Sequence, residues 1–284
     1  MAAKKKTVVI DARESGTSTG RYADELIKHM HALIVPYEII LLTHQKRLGY
    51  LKKVAPRFQV IPTSYNEFSF GEQIGLLKQI WGIHPDLVHF LMPQQPILLG
   101  GTAVTTIHDL TTARFINPAK NTYIFLIKQW VYKLVIRIVA KKSKYIIAPT
   151  DYSKDDIARF TRTNSRKYIR IYDAADTISD KSQPFYECEN KKFIMYVGRP
   201  LPHKNLDNLV ESFLHIRQHK PELYLVLAGK KDVLYKRLEK TIRSKAIKNI
   251  IFTDFVTDGQ LRWLYEHAEA YVFPSLSEGF GLPG

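Results

Sequence analysis

The stretch Ala270-Tyr271-Val272-Phe273-Pro274-Ser275-Leu276-Ser277-Glu278-Gly279-Phe280-Gly281-Leu282-Pro283-Gly284 decides the reading of the fold. It opens on an apolar, strand-like run, and Pro274 ends that run because proline cannot donate to a sheet ladder. The loop beyond carries one carboxylate, Glu278, and three glycines. Glycine lets a backbone turn sharply and lets a ligand come close to its N–H groups. A second stretch answers the first: Met195-Tyr196-Val197-Gly198-Arg199, followed by His203-Lys204-Asn205. Here too a strand-like run ends in a glycine, and cations follow before a helical segment. A carboxylate suits hydroxyl groups and paired cations suit phosphates, so the two stretches together suit a nucleotide-sugar.

Working outward, residues 192–197, 223–228, 250–253 and 270–273 read as strands. Helices alternate with them, over 205–219 with Leu206, Leu209, Val210, Phe213 and Leu214 on one face, over 233–245, and from Thr257 through Tyr265. Thr257-Asp258-Gly259-Gln260 has the spacing of a capping box. In a doubly wound sheet of order 3-2-1-4-5-6, strands one and four are neighbours where the ligand crevice opens. The loops carrying Arg199 and Glu278 should therefore meet. Strands five and six would fall past Gly284, so this domain is expected to be incomplete.

The first half repeats the alternation. Residues 7–11, 37–43, 58–62, 87–90, 102–107, 145–148 and 169–172 are short apolar or β-branched runs, with helices from Arg21 and around 73–81. Such alternation implies βαβ units and a mainly parallel sheet. The loop 12–20, with Gly16 and Gly20, lies between a strand and the helix bearing Tyr22, Leu26, Met30 and Leu33 on one face. That order resembles a phosphate cradle, because helix N-terminal amides point at an anion; a plain connecting turn is the more frequent explanation for such a loop. His108-Asp109 follows the strand 102–107, so His108 either faces a cleft or is a satisfied structural histidine, while Asp109 orients its ring or caps the next turn. Ser153-Lys154-Asp155-Asp156 resembles another capping box, with Ser153 as the cap. Periodicity fades over 174–190, which reads as a linker. The domains are thus 1–173, a linker 174–190, and 191–284.

The formal net charge of +15 allows anionic partners. The most apolar segment, 122–140, is interrupted by Lys128, Lys133 and Arg137 and followed by Lys141, Lys142 and Lys144. These charges argue against a membrane span. An amphipathic helix at an anionic membrane and a core helix ending in solvated lysines both remain open. Cys188 is alone, which suits a reducing compartment. The apolar run 7–10 is too short for a signal peptide. No Cys/His metal cluster and no nucleic-acid-binding motif is present.

Taken in order, Ser18-Thr19-Gly20-Arg21-Tyr22, Ile107-His108-Asp109-Leu110, Ile147-Ala148-Pro149-Thr150 leading to Ser153, Val197-Gly198-Arg199 with Lys204-Asn205, Leu227-Ala228-Gly229, and Pro274-Ser275 with Glu278-Gly279-Phe280-Gly281-Leu282-Pro283 resemble the retaining glycosyltransferases of family 4. The resemblance covers nearly the whole chain. It implies an α/β protein of GT-B architecture, with two facing Rossmann-like domains, the first on the acceptor side. It implies transfer of a hexose, with retention, from a GDP-mannose-like or UDP-glucose-like donor to a glycan or lipid-linked acceptor. Arg199 and Lys204 would bind the donor diphosphate and Glu278 the donor sugar. Gly279, Phe280 and Gly281 would hold the sugar through backbone amides, beside Gly198. Gly20 would let the first domain approach the phosphate, and His108 would lie by the transferred sugar. No cofactor, metal or nucleic acid is implied. The expected location is cytoplasmic, peripheral at the inner membrane face through an anionic membrane surface.

Two departures stand out. The second glutamate of the family motif, which holds the ribose, falls beyond Gly284. The family's Asn-Gly-Val-Asp is Asp173-Ala174-Ala175-Asp176 here. The alternative expectation is therefore a catalytically inactive truncated fragment, or a non-enzymatic anion- or membrane-binding protein.

Overall fold

The computed structural model describes residues 5–17, 20–99, 102–119 and 121–283, so Ser18, Thr19 and Gly284 lie outside the described residues. The chain divides into two units, Met1–Ala113 with Gln129–Asp173, and Arg114–Lys128 with Ala174–Gly284. The segment Arg114–Lys128 groups with the second unit, although the sequence reading places everything up to Asp173 in the first. Periodicity shows that a segment is helical but not which core it packs against.

The first unit is built on β1 (Thr7–Asp11), α1 (Arg21–Ala32), β2 (Glu38–His44), α2 (Leu48–Val54), β3 (Gln59–Thr63), α3 (Leu77–Ile83), β4 (Leu87–Phe90) and β5 (Ala103–Thr106). It continues through α4 (Thr111–Arg114) up to Ala113, α5 (Thr122–Lys142) from Gln129 on, β6 (Tyr145–Ala148), α6 (Asp151–Thr161) and β7 (Tyr168–Arg170). The seven strands are parallel in the order β3-β2-β1-β4-β5-β6-β7. Parallel strands covered on both faces must be apolar on both faces, and the two cores show it. Ile10 and Leu41 pack with Ile27 and Leu51 on one side, while Val9, Leu42 and Val88 pack with Leu76 and Ile80 on the other. The order of strands reverses between β1 and β4, where a crevice opens beyond their carboxyl ends.

The second unit has β8 (Phe193–Val197), α7 (Leu206–His219), β9 (Tyr224–Ala228), α8 (Val233–Ser244), β10 (Ile250–Asp254), α9 (Asp258–His267) and β11 (Ala270–Tyr271). Its strands are parallel in the order β10-β9-β8-β11. The first and fourth strands of this unit are neighbours, as the doubly wound pattern demands. β11 is shorter than the expected strand, yet Val272 N still donates to Met195 O at 2.8 Å before Pro274 stops the ladder. Residues 174–190 hold no strand and only a short turn, Tyr186–Cys188. Their later part packs firmly: Gln183 N donates to Gly259 O at 3.0 Å, and Cys188 is buried in the core that contains Phe193 and Trp263.

Helix α5 buries Gln129, Tyr132, Ile136, Val139 and Ala140 and exposes Tyr123, Ile127, Trp130 and Leu134. No helix among the described residues is long and apolar enough to cross a membrane. At α9 the capping box is formed as read, Thr257 accepting from Gln260 N and Gln260 from Thr257 N. At α6 the expectation is corrected. The cap is Thr150, whose side chain accepts from Ser153 N at 3.0 Å, and Ser153 lies buried inside the first turn. Thr150 has the extended backbone that a cap requires, and Asp151 already begins the helix. Replacing Thr150 with Ala should therefore lower stability by about 1 kcal/mol. Urea unfolding checks this, and an unchanged midpoint would put the cap elsewhere.

Candidate functional site

The candidate site of the second unit is built where β8 and β11 end. Gly198 leaves β8 with φ +141°, and a Cβ there would lie 2.8 Å from the Tyr196 hydroxyl oxygen. Its carbonyl accepts from Tyr235 OH at 2.7 Å. The chain then passes Arg199 and a tight turn, Pro202–Lys204, to Asn205, which is left-handed at φ 58°. Three bonds tie this loop to the one after β11. Leu276 N donates to His203 O at 2.7 Å, Asn205 Nδ2 donates to Pro274 O at 3.2 Å, and Lys204 Nζ donates to Glu278 Oε1 at 2.5 Å. Gly281 takes φ +91°, and Tyr265 OH holds the end of the loop through Pro283 O at 2.8 Å.

Of the residues singled out in this unit, Lys204 and Glu278 are in direct contact, and Gly279, Phe280 and Gly281 follow on the same loop. Arg199 is engaged elsewhere. Its Nε and Nη2 donate to Asp232 Oδ2 at 2.9 and 2.5 Å. Asp232 also caps α8, accepting from Leu234 N and Tyr235 N. Partial burial would raise the Asp232 carboxyl, but the bonds from Arg199 and the two amides outweigh it and hold the group below its ordinary range. Asp232 was not legible in the sequence as a site residue, since only the fold brings it to Arg199.

Gly20 and His108 belong to the first unit. Gly20 is required by packing, because a Cβ there would lie 1.7 Å from Glu14 O. The loop before it is closed by its own side chains: Ser15 OH and Gly16 N donate to Asp24 in the first turn of α1, and Arg47 pairs with Asp24 at 3.0 Å. His108 lies two residues past β5. Tyr22 of α1 meets its ring edge-on at 4.5 Å, and Asp173 Oδ2 is 3.5 Å from Nδ1. Asp109 caps the next turn, accepting from Thr111 N at 2.7 Å. Beneath them His89 Nε2 and Thr106 Oγ1 are 3.0 Å apart, and burial pushes the His89 imidazole down to about 4.

Two further features of this unit escape a sequence reading. Arg13 is buried with Asp11 and Glu72, donating to Asp11 Oδ2 at 2.7 Å and to Glu72 Oε1 at 2.9 Å. Burial raises the Glu72 carboxyl above its ordinary range, against the pull of Arg13. Glu72 is 59 positions from Arg13, so no local pattern announces the pair. Beside Arg13, at the carboxyl ends of β2 and β3, lies a cavity of about 400 Å³ lined by His44, Lys46, Ser64, Asn66 and Glu67. Among the described residues no group of three His, Cys, Asp or Glu side chains is placed to hold a metal ion.

Residues 178–283 match the family of Glycosyl transferases group 1. That span covers both loops of the second unit's site. Among curated relatives, the chain is 25% identical over 180 residues to the O-antigen chain mannosyltransferase RfbU of Salmonella typhimurium, covering 63% of this chain and 47% of that protein. It is also 25% identical over 201 residues to O-antigen chain mannosyltransferase B of Escherichia coli, covering 64% and 49%. The chain thus spans about half the length of these two relatives. Among solved structures, sucrose-phosphate synthase from Thermosynechococcus elongatus is similar with a TM-score of 0.70 at 14% identity, over 98% of this chain and 78% of that one. That likeness shows the shared α/β fold.

The buried imidazole in this region gives a pH test. His89 takes up a proton near pH 6.5 when unfolded but only near pH 4 when folded. Its contribution to stability is therefore complete above about 6.5 and is lost as pH falls toward 4, by about 3 kcal/mol in total. Urea unfolding across this range should show a shallower loss for His89→Gln than for the parent. Parallel slopes would mean that folding leaves the proton affinity of His89 unchanged.

Proposed function

We propose that this protein transfers a hexose from a nucleotide-sugar to a glycan or lipid-linked acceptor with retention of configuration. The observation that carries the reading is the contact between Lys204 and Glu278, which joins the loops following two adjacent parallel strands. It brings a cation suited to phosphate against a carboxylate suited to sugar hydroxyls, on the loop that carries Gly279 and Gly281.

In this reading the donor diphosphate displaces carboxylates. Its oxygens take the places that Asp232 holds on Arg199 and that Glu278 holds on Lys204. Glu278, once released, accepts hydrogen bonds from the sugar hydroxyls, and the backbone of Gly279, Phe280 and Gly281 supports the sugar. Gly198 lets the first loop turn beneath the phosphates. The acceptor hydroxyl attacks the anomeric carbon from the face that the diphosphate leaves. The carbon–oxygen bond to phosphate breaks, and the hydroxyl proton passes to the departing phosphate oxygen. Arg199 and Lys204 stabilise the negative charge developing there, which is where fixed donors lower a barrier most. The polar cavity beside Arg13 has a lining suited to acceptor hydroxyls. The names of the two curated relatives favour a mannosyl donor, with a glucosyl donor as the alternative.

Transfer assays with GDP-mannose, UDP-glucose and related donors test this on purified full-length protein. Arg199→Ala and Lys204→Ala should each slow transfer roughly a hundredfold, since losing one donor aimed at developing charge costs on the order of 3 kcal/mol. Glu278→Gln should slow it as well, while all three variants melt like the parent. Folded variants of Arg199 and Lys204 with full activity on the best donor would overturn the phosphate assignment.

A further inference from the structure

The backbone donors of the loop after β8 can be followed one by one. Gly198 N donates to Ala228 O at 2.9 Å, Pro200 has no N–H, and Leu201 N donates to Arg199 O at 2.8 Å. Among the described residues Arg199 N has no partner. A fixed backbone N–H of this kind bonds an anion with the assistance of its charge.

The direction of that N–H is set by its neighbours. Tyr235 OH donates to Gly198 O at 2.7 Å, with Ala228 O farther off at 3.5 Å. Tyr196 OH donates to Arg199 O at 3.3 Å. Both tyrosines are buried, and burial raises both hydroxyls above their ordinary range, so each keeps its proton and stays a donor. Gly229, at the end of β9, lies against the same carbonyl: a Cβ there would be 2.6 Å from Gly198 O. Gly198 O is thus turned toward β9, which flanks β8 on one side, while β11 flanks it on the other. The peptide is trans, so its C=O and the following N–H point in opposite directions. Arg199 N–H is therefore turned toward the side of β11, whose following loop carries Glu278 and Gly279.

We infer that Tyr235 is a positioning residue that aims the backbone N–H of Arg199 at the diphosphate of the nucleotide-sugar, as a third donor beside the Arg199 guanidinium and the Lys204 ammonium. The inference rests on the donor reading proposed above. Tyr235 touches no substrate and acts through the carbonyl at the other end of the same peptide. Asp232 accepts from Tyr235 N at 3.1 Å and from the Arg199 side chain, so the first turn of α8 holds Arg199 by side chain and backbone together. The side chain must exchange Asp232 for the diphosphate, whereas the backbone N–H is in place beforehand. Donors set in advance are those that cost no reorganisation when charge develops.

The experiment is calorimetric titration of GDP and UDP into the parent and Tyr235→Phe, with the Arg199 amide followed by NMR. The substitution keeps the buried ring and removes only the hydroxyl. Affinity for the better-bound diphosphate should fall about tenfold, as for the loss of one hydrogen bond to a charged group. In the parent the Arg199 amide proton should move downfield as the diphosphate saturates, and the variant should lose most of that shift. A tyrosine with a structural role alone would lower the melting temperature and leave both readings at the parent value. A folded Tyr235→Phe protein with parent-like diphosphate affinity would overturn the inference. So would a parent whose Arg199 amide does not respond, a reading that needs no variant. Weaker binding by Lys204→Met with none of it in Tyr235→Phe would remove this inference and leave the donor reading standing. A parent that binds neither diphosphate would overturn both.

Discussion

The parallel pairing of β11 with β8, Ala270 opposite Ile194 and Tyr271 opposite Met195, is the constraint on which the site depends. Successive parallel strands require a crossover, and here three helices and two further strands intervene before the chain returns to the side of β8. That return brings Glu278 to Lys204 across 74 positions of sequence. The two loops are then locked by backbone as well as charge, through His203 O with Leu276 N and through Asn205 with Pro274 O. Asn205 must be left-handed to end the turn and start α7 at once, and asparagine is the residue that accepts this conformation most readily after glycine.

Charge is handled differently in different parts of the molecule. Lys204 and Arg199 are each paired with a carboxylate, and in the proposed function a donor diphosphate would replace those partners. This keeps like charges from crowding the loops while leaving them positioned. Arg13 is neutralised too, but inside the protein, where removing one member of the set would strand a buried charge at a cost of about 3–5 kcal/mol. Among the described residues, the cations at the end of α5 have no such partners. The excess positive charge of the chain is therefore in part a local feature of one helix face.

Much of the fold was legible because it follows from order alone. Alternating apolar runs and helices imply parallel sheets, and the doubly wound rule makes β8 and β11 neighbours without any knowledge of contacts. Strand ends shifted by a residue or two, as at β5, where the ladder stops at Thr106. Local chemistry was legible where one candidate existed, as at Thr257 and Gln260. It failed at α6, where Thr150 and Ser153 both carry hydroxyls and only the backbone angles distinguish cap from helix. Pairings between distant side chains left no trace in the sequence. Asp232 on Arg199, Glu72 on Arg13, and Asp173 beside His108 arise only when separate strands bring their ends together. Gly20 showed the converse difficulty: a glycine suggestive of ligand approach has a sufficient reason in the carbonyl of Glu14.

The central claim is that Lys204 exchanges Glu278 for the donor diphosphate. Calorimetric titration with the nucleoside diphosphate of the preferred donor, lacking its sugar, tests this directly on the parent, Lys204→Met and Glu278→Gln. The account requires Lys204→Met to bind at least about tenfold more weakly, as expected for the loss of a charge-assisted hydrogen bond. It requires Glu278→Gln to bind more tightly than the parent, because Lys204 is then no longer held by a carboxylate. Parent-like affinity in a folded Lys204→Met protein, or weaker diphosphate binding by Glu278→Gln, would contradict it.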